Sequence, residues 1–230
     1  MKKIVVGALA CWCFAVSFGF GQEVFYAQGK GDKKAIALTF DDGPGPWTER
    51  ILAVLKEHNV KATFFMEGQQ AQYRPKLVVA VRDGGHEIGN HTYSHKNFYA
   101  YKKDDKKEVL ERELQQASQY IDKASGVTPH LLRMPYGYCK EWSREVASKQ
   151  GYVMINWSFG CDWNKMTPTA VYEAYAKNIH AGAIFLMHDG GSNRKSTYEA
   201  LPKLIDEIKR QGYELVTVSQ LLGIKDDTVR

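Results

Sequence analysis

The sequence predicts an α/β fold on a parallel sheet, and three observations carry that prediction. From Lys34 onward, seven short apolar runs alternate with longer stretches of helical pattern. Gly85, Gly126, Gly151, Gly182 and Gly212 stand at joins just before strands, where helix-ending glycines fall. The unusual polar clusters follow the C-terminal ends of apolar runs, the ends that carry function in open doubly wound sheets and closed barrels alike. Both architectures fit the alternation.

Taken in order, the first strand is Ala35–Phe40, bounded by lysines before and by Gly43-Pro44 after. A helix at Thr48–Glu57 leads to a strand at Ala62–Phe65, and a helix at Lys76–Arg82 leads to Glu87–Gly89. The helix Asp105–Ala124 places Leu110, Leu114, Ala117, Ile121 and Ala124 at helical spacing. Strands at Leu131–Arg133, Tyr152–Asn156, Ala183–Met187 and Glu214–Val216 follow. They are separated by helices at Ser143–Lys149, Pro168–Asn178 and Thr197–Arg210.

The chain has 230 residues, 44% hydrophobic and 25% charged, with no repeat or compositional break, so one domain is expected from residue 34 to 230. Residues 1–21 differ. Lys2 and Lys3 precede an uncharged, mostly apolar run to Phe20, the layout of a secretory signal peptide cleaved after Gly21. Residues 22–33 then form an N-terminal extension. The expectation is export, to the periplasm or cell wall. An uncleaved membrane anchor, a lipid attached at Cys11 and a buried N-terminal helix are the rival uses of the same stretch. Cleavage removes Lys2 and Lys3, lowering the formal charge from +5 to +3. That mild bias, with no basic run, excludes nucleic acid as an implied partner, and nothing implies a stable protein partner. The mature chain keeps Cys139 and Cys161, which could pair as a disulfide or stay buried thiols.

Asp41 and Asp42 end the first strand. Turn chemistry accounts for Gly43, Pro44 and one aspartate, but not both. Strand alternation predicts that the two carboxylates diverge. His91 and His95 follow the third strand and, four apart, would share one face of a helical turn. With one aspartate they make a three-ligand set that leaves positions open for water and substrate. His86 reads as structural. Arg133, at a buried strand edge, needs an anion, and Asp41 is the natural partner. Pro135 and Gly137 fix the backbone around Tyr136. Asp162-Trp163 follows the fifth strand, with Trp163 either a wall for a sugar ring or core. His188, just past Ile184-Phe185-Leu186, is placed to act as acid or base.

Thr39-Phe40-Asp41-Asp42-Gly43-Pro44, His91-x-x-x-His95, Arg133-x-Pro135-Tyr136-Gly137, Asp162-Trp163 and Leu186-x-His188 together resemble the five ordered motifs of the NodB-like polysaccharide deacetylases, carbohydrate esterase family 4. The resemblance spans roughly residues 34–222. It implies a distorted (β/α) barrel of about seven parallel strands in a single domain. It implies a divalent metal on Asp42, His91 and His95, usually zinc, with cobalt or nickel as substitutes. It makes Asp41 the general base and His188 the general acid, with Arg133 and Asp162 completing the catalytic set. Tyr136, Trp163 and Leu186 would contact substrate, the Tyr136 amide at the oxyanion.

The chain departs from the family pattern at Phe159, where a further aspartate commonly tunes the catalytic histidine, and lacks an asparagine near Cys139-Lys140. The muramic-acid branch shares the first gap but tends to carry arginine where Tyr136 stands. The resulting expectation is a secreted metal-dependent N-deacetylase of an acetylated polysaccharide, with peptidoglycan first and chitooligosaccharide second. An O-acetyl xylan esterase and a non-catalytic carbohydrate-binding module are the alternatives. A glycosidase using Asp41 and Asp42 is excluded, because adjacent carboxylates cannot flank a glycosidic bond.

Overall fold

The computed structural model describes residues 25–224, so the expected signal peptide at 1–21 lies outside the described residues. All seven expected strands form: β2 (Ala35–Gly43), β3 (Thr63–Met66), β4 (Glu87–Asn90), β5 (Leu131–Leu132), β6 (Val153–Ile155), β8 (Ile184–His188) and β9 (Glu214–Val216). Two-residue strands β1 (Phe25–Tyr26) and β7 (Phe159–Gly160) add to them, β1 arising from the segment read as an extension. The nine strands make one sheet in the order β1-β6-β5-β4-β3-β2-β8-β7, with every pair parallel. The remaining strand, β9, pairs with the first residues of β2 (Ala35–Ala37), while β3 pairs with its later ones. The sheet curls into a half-barrel with β1 and β7 at its ends, within the distorted-barrel class.

Helices α1 (Thr48–Glu57), α2 (Gly68–Tyr73), α3 (Pro75–Asp83), α4 (Lys106–Ser125), α5 (Glu141–Lys149), α6 (Pro168–Ala176), α7 (Lys195–Arg210) and α8 (Val218–Leu222) surround it. Their ends follow local chemistry. Gly126 closes α4 in the left-handed conformation (φ 70°), as a residue without a Cβ does at least cost. Thr167 opens α6 by accepting the Ala170 amide at 3.2 Å, with Pro168 in the first turn.

Alternation along β2 divides the core. Ile36, Leu38 and Phe40 face outward into a cluster shared with α1 and α7 (Ile51, Leu55, Leu204, Ile208). Ala37 faces inward, toward Phe65, Leu131, Ile155 and Ile184. Val218 of α8 packs into this inner cluster, with Leu221 and Leu222 against it. A third cluster seats α4 and α5 on β5 and β6 through Leu110, Leu114, Val146, Leu132 and Met154. Each fully buried aliphatic side chain is worth about 1.5–3 kcal/mol. A scaffold held this way can carry buried charges at its strand ends, and the C-terminal ends of β2, β4, β5 and β8 are where they collect.

Candidate active site

Asp41 continues the inward face of β2, buried at the strand end beside Thr39. Arg133, just past β5, reaches it across the half-barrel. Its Nη1 donates to Asp41 Oδ1 at 2.8 Å and to Thr39 Oγ1 at 2.6 Å. Its Nη2 donates to the Asn156 carbonyl at 2.9 Å. The guanidinium lies 4.1 Å from the centre of the Phe65 ring, a cation–π contact. The ion pair is completely enclosed, so geometry and hydrogen bonds must offset a desolvation cost of several kcal/mol per ion. The result is one fixed carboxylate whose other oxygen, Oδ2, faces His91 Nε2 at 3.8 Å.

Asp42 does not simply point the other way. It adopts φ 66°, and the β2–β3 register shifts between Asp41 and Gly43. This bulge turns its carboxylate back toward the cleft, correcting the divergence expected from strand alternation. Asp42 Oδ1 lies 3.4 Å from His91 Nε2 and 3.3 Å from His95 Nε2, buried and without a hydrogen-bond partner. His91 Nδ1 is 2.6 Å from the Arg133 carbonyl, so Nδ1–H donates there and the Nε2 lone pair of the neutral ring is left to ligate a cation beside Asp42. Burial acts against ionisation of Asp42. The neighbouring imidazoles, His91 foremost, nevertheless hold its carboxyl well below the usual carboxylate range.

These three ligand atoms lie within 4.8 Å of one another. Donors about 2.0–2.1 Å from a tetrahedral cation sit about 3.3 Å apart. The separations from Asp42 Oδ1 to both imidazoles fit that edge, and its orphaned oxygen lacks only a positive partner. The residues therefore fit a divalent cation with open positions.

His188 ends β8 in register with Asp41. Its Nδ1 is 2.7 Å from Asp162 Oδ1, and its backbone amide donates to Asp162 Oδ2 at 2.9 Å. Thr197 Oγ1 donates to the same Oδ2 at 2.8 Å. Burial would lower the imidazole's pKa, but the hydrogen bond and charge of Asp162 outweigh it and raise the pKa above the ordinary value. The cleft between these groups has a volume of about 400 Å³. Tyr136 and Trp163, 57% and 49% exposed, form walls of it, and buried Leu186 lies beneath. Tyr136 adopts φ 59° in the turn Pro135–Gly137, where the Gly137 and Tyr138 amides bond back to Met134 and Pro135.

Residues 28–155 match the family model described as polysaccharide deacetylase. The chain belongs to the polysaccharide deacetylase family. A Bacillus cereus protein named peptidoglycan-N-acetylglucosamine deacetylase is 40% identical over 198 residues, covering 84% of this chain and 91% of the relative. The Bacillus subtilis peptidoglycan-N-acetylmuramic acid deacetylase PdaA is 32% identical over 210 residues, 89% of this chain and 77% of that protein. The crystal structure of the Bc1960 peptidoglycan N-acetylglucosamine deacetylase superposes with a TM-score of 0.82 at 31% identity, covering 87% of this chain and 94% of that one. BA3943 of Bacillus anthracis, described as a pseudoenzyme of carbohydrate esterase family 4, superposes with a TM-score of 0.80 at 29% identity, covering 87% and 69%. The fold is thus shared by an enzyme and a pseudoenzyme, and the site residues must discriminate.

In this polysaccharide deacetylase homologue, Asp41, Asp42, His91, His95, Arg133, Tyr136, Asp162, Trp163, Leu186 and His188 all reach one cleft or its immediate support. Trp163 is wall rather than core. His86 is buried, accepts the Ala62 amide at 3.2 Å and packs on Phe64, as a structural residue does. Beside the divergence of Asp41 and Asp42, one further expectation fails. His91 and His95 do not lie on a helical turn. The loop after β4 is irregular, with positive φ at Thr92 (64°) and His95 (51°), and brings the two rings to 5.0 Å. Of the two states left open for Cys139 and Cys161, the unpaired one is found. They pack in different hydrophobic clusters as free thiols.

Three supporting groups were absent from the sequence reading. Glu113 of α4 is buried and accepts the amides of Tyr93 (3.0 Å) and Ser94 (2.7 Å) and the Ser94 hydroxyl (2.7 Å). It therefore holds the loop between the two histidines. Its signal was a carboxylate inside the apolar stripe of α4, beside Leu110 and Leu114. Asp189, fully buried, accepts the Thr48 hydroxyl beneath the β2–α1 loop, and burial pushes its pKa up to about 7. Arg194 lies 3.7 Å from Asp42 Oδ2 and bonds the Gly190 carbonyl at 3.0 Å. Nothing local in the sequence marked Arg194.

Proposed function

We propose that this chain is a secreted, metal-dependent N-deacetylase of peptidoglycan. The carrying observation is the convergence of Asp42, His91 and His95 beside two separate carboxylate-anchored groups, Asp41 held by Arg133 and His188 held by Asp162. That arrangement provides a proton acceptor and a proton donor in the same cleft as a three-ligand site, which a binding module does not need. A divalent cation, zinc suiting this Asp-His-His set best, would polarise the acetamide carbonyl and ease loss of a proton from water.

The chain's own residues supply the rest. Asp41, fixed by Arg133, takes the proton of the attacking water with its free oxygen. The Tyr136 amide opens the tight turn at the cleft and offers a hydrogen bond to the developing oxyanion. His188, kept protonated by Asp162, donates to the sugar nitrogen as the carbon–nitrogen bond breaks. Acetate and a free amino sugar leave. Trp163 and Tyr136 offer ring faces for the sugar and exclude water.

Peptidoglycan is favoured by the names of the relatives. Within it, N-acetylglucosamine is favoured by the 40% identical relative and by Tyr136 at the third motif. Export is supported by the layout of residues 1–21. The test is acetate release from peptidoglycan, chitooligosaccharide and acetylxylan, with and without chelator. Chelator-sensitive release from the amide substrates is expected. Release from the ester alone, or from none, would overturn the reading.

A further inference from the structure

Beside the cleft lies a second groove of about 360 Å³ that the mechanism does not use. It is built by the same two loops that form one side of the active site, those following β4 and β5. At the cleft, the His95 and Tyr136 rings meet at 4.8 Å. One step further along each loop, the Tyr99 and Tyr138 rings meet at 4.7 Å. Tyr136 and Tyr138 are two residues apart, so their Cα atoms are separated by at most about 7 Å. The groove is thus built on the same two loops, next to the wall of the cleft.

Its chemistry is aromatic and cationic. Tyr99 is half exposed, while Tyr138 is buried beneath it. Lys102, Lys103, Lys106 and Lys140 line it against a single acid, Asp104. Nearby Lys107 and Lys149 are both paired with Glu145 at 2.9 Å. The groove lysines have no carboxylate partner among the described residues. Lys102 bonds only the Tyr99 carbonyl at 2.9 Å, and the Lys106 ammonium lies 5.3 Å from the centre of the Trp142 ring. Four cations against one acid, around an aromatic face, suit a ligand with the apolar face of a sugar ring and a carboxylate beside it.

We propose that this groove is an accessory glycan subsite. It holds a carboxylate-bearing unit of the same strand whose acetamide occupies the cleft. The choice of ligand rests on the deacetylase reading above. The groove would make an acidic, peptide-bearing glycan a better ligand than a neutral one of equal length.

The test is co-sedimentation with insoluble peptidoglycan freed of teichoic acid and with neutral insoluble chitin, comparing the unmodified protein with Lys103→Gln/Lys140→Gln. Both lysines are exposed, so the fold is not at issue. The double variant should bind peptidoglycan about tenfold more weakly and chitin less than about twofold more weakly. The difference should vanish near 1 M salt, where screening acts within about 3 Å. Equal loss on both polymers, no loss on peptidoglycan, or failure of the unmodified protein to sediment with it each overturns the subsite. Acetate release, measured separately, decides the deacetylase reading, so either can fail without the other.

Discussion

His188 and Asp162 are joined twice, through the imidazole Nδ1 at 2.7 Å and through the backbone amide at 2.9 Å, so one carboxylate fixes both the charge and the place of the histidine. The position where the family commonly carries another aspartate is Phe159, which packs edge-on against Tyr175 and Phe185 in the core. The tuning carboxylate is therefore Asp162 itself.

Removing that charge should move a titration. A proton donor works only while protonated, and Asp162 raises the pKa of His188. Asp162→Asn should shift the alkaline limb of kcat/KM to lower pH and cut activity at pH 8 by about tenfold or more. The same linkage acts on stability. A raised histidine pKa stabilises the fold fully below the unfolded value near 6.5, and that contribution is lost as pH rises through the folded pKa. A pH–rate limb in the same place for both proteins would count against the assignment.

Asp41 and Asp42 should separate under substitution although they are adjacent. Asp42→Ala removes a ligand atom and should abolish retention of the cation, measured by elemental analysis of the dialysed protein. Asp41→Asn leaves all three ligand atoms in place. It should retain metal and lose about 10²-fold or more in turnover. One equivalent of metal in purified Asp42→Ala, or near-normal acetate release by Asp41→Asn, would refute the respective role.

Glu113 touches neither cleft nor ligand, yet its carboxylate accepts both amides and the hydroxyl of the Tyr93–Ser94 segment between the histidines. Both amides go to one Glu113 oxygen and the Ser94 hydroxyl to the other, so Glu113→Gln keeps the amide acceptor, turns a donor toward the hydroxyl and removes the charge that strengthens all three bonds. We expect about 10- to 100-fold weaker metal affinity in a chelator competition, with the metal-free fold losing about 1–3 kcal/mol. Glu113→Asp should recover part of the affinity if it reaches the loop. Unchanged affinity in the glutamine variant would reduce Glu113 to a packing residue.

Most of the fold was legible because its signals are local and long enough to show a period. Ala35–Phe40 and the α4 stripe are such cases. The helices α2 and α8 escaped because six and five residues carry too little periodicity. The strand ends were legible as polar residues directly after apolar runs. What they do at those ends was less so. The spacing of His91 and His95 suits a helical turn, but the ring approach is created by the left-handed residues Thr92 and His95, which flank the Tyr93 and Ser94 amides held by Glu113, some twenty positions away. The return of the Asp42 carboxylate depends on a bulge, and a bulge arises from register with β3 rather than from the β2 sequence.

Asp189 gives a prediction of opposite sign to His188. Buried against Thr48 and sensing the Asp42 charge, its carboxyl is pushed up to about 7, from an ordinary value near 3.8. The folded state then holds a proton that the unfolded chain has released. Stability contributed at low pH is lost as pH rises from about 4 through 7. Asp189→Asn keeps an oxygen for the Thr48 hydroxyl and removes the buried titration. In the metal-free protein, the variant should be more stable than the parent at pH 8, by an amount of order 1–3 kcal/mol, and nearly equal to it at pH 4.5. Urea denaturation at the two pH values measures this directly. A variant less stable at pH 8 than at pH 4.5, relative to the parent, would show that Asp189 is held ionised by the β2–α1 loop.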